Sequence, residues 1–262
     1  MRTRLSVVLA AAATAAVVAV VPAGAEDFDW QGRVGPGQTI EVKGVNGEVE
    51  AVAASGGQVE VHAVKTGRRD DPAGVEIAIV EHVGGVTVCA VYPTPTGSRP
   101  NECQPGEGGR MSVKDNDVQV AFTVHVPAGV RFVGRTVNGG VKAAALQGDV
   151  EAYTVNGGVK IATSGNARAE TVNGSIVATA GRADWTGTAE FKTVNGSITV
   201  ELPDGAGAEV KAQTVNGDIE TDFPLTVKGR FSRRRLSGTL GGGGRELRLE
   251  TVNGGIRLRR AG

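Results

Sequence analysis

The chain has 262 residues, 28 acidic and 28 basic side chains, 40 glycines, and only 4% aromatic residues. With so few rings and no 3.6-residue apolar period, a helical bundle is excluded, and short Val- and Ile-rich strands must build the core. The net charge is zero but unevenly spread: −7 over residues 26–127, −3 over 128–227 and +8 over 228–262.

In chain order, Arg2 and Arg4 precede the uncharged, Ala/Val-rich run Leu5–Val21, and Ala23-Gly24-Ala25 forms a small-x-small site. This predicts a secretory signal peptide over 1–25, cut between Ala25 and Glu26. Glu26, Asp27 and Asp29 follow at once, with no basic stop-transfer flank. No later stretch is long and apolar enough to predict a membrane-spanning helix.

Residues 26–130 read as an N-terminal β region. Thr39–Lys43, Glu48–Val52 and Gln58–Val64 alternate apolar and polar side chains, and further strands are expected at Val75–Val80, Val86–Val91 and Val118–Val126. Residues 92–117 are rich in Pro and Gly. Cys89 and Cys103 bracket the start of this stretch, and in an exported protein they can pair, closing a loop worth about 3 kcal/mol. Asp115-Asn116-Asp117 lacks the glycine and glutamate of a calcium loop and reads as a polar turn.

Residues 131–262 are organised by a repeat. Thr-Val-Asn-Gly occurs at Thr136, Thr154, Thr171, Thr193, Thr214 and Thr251, with a looser copy at Gly44-Val45-Asn46-Gly47. Successive asparagines from Asn138 lie 18, 17, 22, 21 and 37 residues apart. Repetition at this period signals a stacked architecture. Asn-Gly favours a tight turn because both residues tolerate positive φ. The expected fold is all-β: a right-handed β-solenoid of short strands with Asn-Gly corners, preceded by irregular β coils and continuous with them as one domain. Val and Ile are expected to fill the core and Thr to face out. Asn46, Asn138, Asn156, Asn173, Asn195, Asn216 and Asn253 are expected to stack into a hydrogen-bonded ladder. The 37-residue gap has room for a degenerate coil or an extra hairpin. The arginines at the chain's end are expected to guard an exposed solenoid edge.

Val124-His125-Val126-Pro127-Ala128-Gly129-Val130 followed by Arg135-Thr136-Val137-Asn138-Gly139, and the ending Gly238–Gly244 with Leu247–Gly254, resemble a bacterial putative-adhesin family, a domain of unknown function with β-strand repeats. The resemblance implies an all-β, solenoid-like domain in exported or envelope proteins, and no known reaction. The Cys89–Cys103 loop is a local addition to it.

The residues offer little chemistry. His62, His82 and His125 lie far apart and read as strand histidines rather than metal ligands. Glu151, Glu170, Asp218, Glu220 and Asp222 occupy solvent-face positions of alternating strands, and Tyr153 and Trp185 are the best aromatic candidates for a sugar platform. No cofactor is implied. Arg230, Arg233, Arg234, Arg235, Arg259 and Arg260 form a basic end that could meet an anionic envelope polymer or another envelope protein; export argues against nucleic acid. The reading is an exported, periplasmic or surface, non-enzymatic module with a structural or adhesive role. The alternatives are a polysaccharide-active enzyme or an envelope-stress sensor. The charge split also permits head-to-tail self-association.

Overall fold

The computed structural model describes residues 25–181, 185, 187–227 and 232–261. The predicted signal segment before Ala25, and Arg230, lie outside the described residues. Alternating apolar and polar residues set the strands, because successive side chains point to opposite faces. In chain order these are β1 (Ala25–Gly32), β2 (Thr39–Lys43), β3 (Val49–Ala53), β4 (Val59–Thr66), β5 (Glu76–His82), β6 (Gly85–Val91), β7 (Gln119–Val126), β8 (Arg131–Arg135), β9 (Val141–Leu146), β10 (Val150–Tyr153) and β11 (Val159–Thr163). They continue as β12 (Ala167–Asn173), β13 (Ile176–Ala180), β14 (Thr188–Asn195), β15 (Ile198–Leu202), β16 (Ala208–Asn216), β17 (Ile219–Thr221), β18 (Leu225–Val227), β19 (Arg235–Leu240), β20 (Glu246–Asn253) and β21 (Ile256–Arg260). One 3-10 turn, Pro72–Gly74, precedes β5. No helix among the described residues is long and apolar enough to cross a membrane.

The strands form two large, mostly parallel sheets. The first runs β1-β4-β7-β3-β9-β11-β13-β15-β21-β17 and the second β18-β19-β16-β20-β14-β12-β10-β8-β2-β6-β5. Each rung of the stack is one strand of the second sheet, a Val-Asn-Gly corner and one strand of the first. Identical motifs keep neighbouring rungs in register: Thr171 pairs with Thr193 and Asn173 with Asn195. Aliphatic side chains from both sheets meet between them; Val159, Ile161, Ile176, Ala178, Ile198 and Val200 are all 3% exposed or less.

Two expectations are corrected. The N-terminal region is not only irregular coils. β2 and β3 make a regular rung that pairs in parallel with β8 and β9, so the sheets run without a break across residue 130. The remaining N-terminal strands close that end with antiparallel pairs, β1 on β4, β4 on β7 and β5 on β6.

The arginines that end the chain do not guard an edge. The last rung, β20–β21, is interior, with β20 between β14 and β16 and β21 between β15 and β17. The chain leaves β15, lays down β16–β17 one rung too far, makes the antiparallel hairpin β18–β19 at the end of the second sheet, and returns to fill the vacant slot. Filling it gives β20 hydrogen-bonding partners on both edges and buries Leu247, Leu249, Ile256 and Leu258 to 1% exposure or less.

Candidate functional site

Thr154-Val155-Asn156-Gly157 shows how a corner is built. The inward positions of β10, Val150 and Ala152, continue to Thr154, which is buried. Its Oγ1 donates to the carbonyl of Gly139 in the preceding rung at 2.8 Å. Gly157 faces the same carbonyl, and a Cβ there would stand 1.9 Å from it. Asn156 Nδ2 donates to Asn138 Oδ1 at 2.9 Å. Val155 points outward and is 39% exposed. Thr and Gly of one rung therefore grip one carbonyl of the rung before, and the pattern recurs at Thr136, Thr171, Thr193, Thr251 and Thr214.

The expectation that Thr faces out and the motif valine fills the core is therefore reversed. Strand alternation runs on through Thr, which sends Val outward; the inward count resumes two residues after Gly, at Val141, Val159, Ile176, Ile198 and Ile256. The tight-turn expectation is met only in part: Gly47, Gly217 and Gly254 have positive φ, and no corner asparagine does. The only non-glycine residues with positive φ among those described are Asp115 and Ala145, neither in a corner. Glycine is required for close approach of stacked backbones, and asparagine serves the ladder.

The ladder runs Asn46, Asn138, Asn156, Asn173, Asn195, Asn253, Asn216, with each amide bonded to the one before at 2.8 or 2.9 Å. An amide has two N–H donors and two lone pairs on its oxygen, and an interior rung spends one of each on the ladder. Beside it runs a row of six exposed valines, Val137, Val155, Val172, Val194, Val252 and Val215, each 39–48% exposed, at the strand spacing of about 4.8 Å. A groove of about 470 Å³ separates Val172, Val194, Val252 and Val215 from Tyr153, Glu170, Lys192, Glu250 and Gln213.

The outer face of the second sheet is electrically paired. Glu190 meets Lys192 at 2.7 Å, Glu246 meets Lys211 at 2.8 Å and Arg248 at 3.1 Å, and Glu151 meets Arg131. The Lys211 and Arg248 contacts hold the Glu246 carboxyl down at about 2. The Arg135 guanidinium lies 4.1 Å over the Tyr153 ring, whose hydroxyl donates to Glu151 at 2.8 Å. Burial first, then Glu151, push that phenol up to about 12.

At its N-terminal end the corner face runs into a wall. Cys89 and Cys103 are bonded, with Cα atoms 5.8 Å apart. The loop beyond Cys103 lies over the first rung: Lys43 Nζ donates to the carbonyls of Gln104 (2.6 Å), Gly106 and Gly108 (3.1 Å). Buried Glu41 accepts from Gly106 N at 2.8 Å, Thr87 Oγ1 at 3.1 Å and Arg135 Nε at 3.0 Å. Burial lowers the Lys43 ammonium, with Glu41 acting against it. The loop's Met111, Val113, Asp115 and Asn116 face Val45, Asn46, Val137 and Asn138 across a cleft of about 760 Å³. The pairing of Cys89 with Cys103 is thus what sets this wall in place, and sequence reading did not foresee that it abuts the ladder.

The other predicted residues are dispersed. Arg259 pairs with Asp222 and Glu220, and Arg260 with Asp204, within the first sheet. Arg233, Arg234 and Arg235 lie exposed at the far end of the stack, so the basic patch is split. Glu170 pairs with Arg168 and Glu220 also with Arg257. Trp185 is 5% exposed and packs in the core, so it offers no sugar platform. His62 and His125 share an outer face with Asp29 and Glu60, while His82 ends β5; no group of three metal-ligating side chains is assembled among the described residues. Asp117 caps the 69–70 turn through backbone N–H groups, which hold its carboxyl at about 2.

The family described as Toastrack DUF4097 matches residues 130–259. That segment, just under half of the chain, is a Toastrack domain. The match spans the rungs from β8 to β21. Among solved structures, a putative cell adhesion protein from Clostridium sporogenes is similar, with a TM-score of 0.51 at 12% identity over 90% of this chain and all of that one. A putative adhesin from Bacteroides fragilis gives a TM-score of 0.36 at 10% identity, over 89% of this chain and 97% of that one. The first likeness shows a shared fold; at this identity it speaks of fold alone. No curated protein matches the chain.

Proposed function

We propose that this Toastrack protein is an exported, non-enzymatic adhesive module whose corner face holds an extended glycan of the cell envelope. The observation that carries the reading is the pair of rows, exposed Val beside laddered Asn, repeating on six successive rungs and ending at the disulfide-pinned loop over the first rung. Apolar side chains flanked by amide donors and acceptors suit a hydroxyl-rich polymer with apolar ring faces, and a periodic face suits a periodic ligand. The charged groups that line the groove, Glu170, Lys192 and Glu250, alternate in sign with no excess of positive charge, which favours a neutral polymer over the anionic one suggested by the arginine content. Export rests on the signal-type start and the disulfide. The solved structure with the shared fold is described as a putative cell adhesion protein, which agrees with an adhesive role.

Arrays of cell-wall, lipopolysaccharide and glycan fragments test the reading. The protein is expected to bind at least one neutral glycan, and Val172→Lys with Val194→Lys, both outward, to weaken binding about tenfold or more with the thermal melt unchanged. Binding to no array member would overturn it.

A further inference from the structure

The two ends of the stack differ in a way that the corner face does not explain. The second sheet stops at β5 on one side, a seven-residue strand that pairs with β6 alone. Its sequence is Glu76-Ile77-Ala78-Ile79-Val80-Glu81-His82, without the proline, lysine or bulge by which exposed edges are usually blunted. Glu76 and Glu81 are exposed. The other end is blunted. β17 and β18 have three residues each. The turn Ser232–Arg235 takes the place of a missing rung, its Arg233 and Arg234 carbonyls accepting from Ile219 N and Thr214 N at 3.0 and 2.9 Å. That turn holds the side chains of Arg233, Arg234 and Arg235 out in solvent.

Apart from the six corner valines, the exposed large apolar side chains among the described residues are Val83 (101%) and Val227 (43%). Val83 tips the β5–β6 hairpin and Val227 ends β18. The two thus mark the outermost strands of the second sheet, one at each end. Each end therefore offers an apolar residue on a terminal strand, with carboxylates at one end and guanidinium groups at the other. Arg68 and Arg69 are the opposing charges near the acidic end, Arg69 being occupied by Asp117; at the arginine end they are Asp218, Glu220 and Asp222, of which Glu220 and Asp222 are occupied by Arg257 and Arg259.

We propose that a second copy of the chain docks here, head to tail, the arginine-turn end of one copy meeting the β5 end of the next. A contact between two β5 ends would set Glu76 and Glu81 against their own copies, and a contact between two arginine turns would do the same with guanidinium groups. Only the unlike ends attract. Because the joined surfaces differ, the contact is heterologous, and it builds a ring or an open filament rather than a two-fold dimer. This inference does not rest on glycan binding.

Sedimentation velocity on the full chain tests it. A concentration-dependent series of oligomers is expected at low salt, dissolving at high salt as screening sets in. Two charge-swapped proteins sharpen the test: Glu76→Arg with Glu81→Arg, and Arg233→Glu with Arg234→Glu. All four side chains are exposed, and circular dichroism checks that both proteins fold. Each alone is expected to lose association at least about tenfold, and their mixture to regain it, since unlike ends then face each other again. A monomer at every salt and concentration, a closed dimer, or swapped proteins that assemble alone or fail to recover on mixing would overturn the proposal. Glycan binding by the swapped proteins is expected to be unchanged, which keeps this outcome separate from that of the corner face.

Discussion

Each residue of the Thr-Val-Asn-Gly motif answers a different physical demand, and substitutions should separate them. Buried Thr193 donates its Oγ1 to the half-buried Gly174 carbonyl at 2.9 Å, so Thr193→Val removes one partly buried hydrogen bond at nearly constant volume and should cost about 1–2 kcal/mol in urea unfolding. Val194→Thr, one residue on, changes an outward side chain and should stay within about 0.5 kcal/mol. Equal costs at the two positions would contradict the inward threonine. The glycines divide in the same way. A Cβ at Gly174 would lie 1.9 Å from the Gly157 carbonyl, whereas one at Gly158 meets nothing nearer than the Ser175 carbonyl at 3.4 Å. Gly174→Ala should therefore force two rungs apart and cost about 3 kcal/mol or more, and Gly158→Ala should be close to neutral. Thermal melts of the two proteins compare them directly.

At the scale of elements, the disulfide loop and the charged face of the second sheet govern stability. Cys89 and Cys103 are 14 residues apart. Replacing both by Ala should lower stability by about 3 kcal/mol, and it should also free the 104–108 carbonyls from Lys43, seen as faster amide exchange there. Glu246 and Asp117 are both held at about 2, against ordinary values of 4.5 and 3.8. The folded state thus binds fewer protons than the unfolded chain near pH 3. Stability from these groups is complete above about pH 5 and is lost as pH falls toward 2. The melting temperature should drop across that window, and Glu246→Gln should flatten the drop. A melting temperature independent of pH between 5 and 2 would contradict the ion pairs of this face.

For the whole molecule, the order of rungs decides cooperativity. In a stack built in sequence order, deleting the last rung would only shorten it. Here β20–β21 joins β14–β15 to β16–β17. A chain ending at Arg245 should therefore lose the packing of everything after β15 and become sensitive to proteolysis over residues 203–245, while the rungs before β14 keep their fold. The pairing of β2 with β8, across more than ninety residues of chain, also makes much of the contact network non-local, which predicts slow folding.

The sequence by itself determined the unit, its corner and its register: a Thr-Val-Asn-Gly run recurring at strand-scale spacing can only be satisfied when like residues stack on like, and Val, Ile and Ala alternation named most of the core. It also marked Cys89 and Cys103, the chain's two cysteines, at a spacing that suits a loop-closing bond. Two things were decided only in three dimensions. One is the facing of Thr and Val. A period of two holds along a strand but its phase is reset at a bend, so whether alternation runs into the corner or stops before it depends on the backbone path through Asn-Gly. The other is the order of rungs and what seals their ends. Six rungs present the same Thr, Asn and Gly surfaces, and a seventh the same Asn and Gly, so local sequence cannot rank their neighbours. The arrangement found is the one in which the final rung has a partner on both edges, and the arginine turn covers the edge that remains.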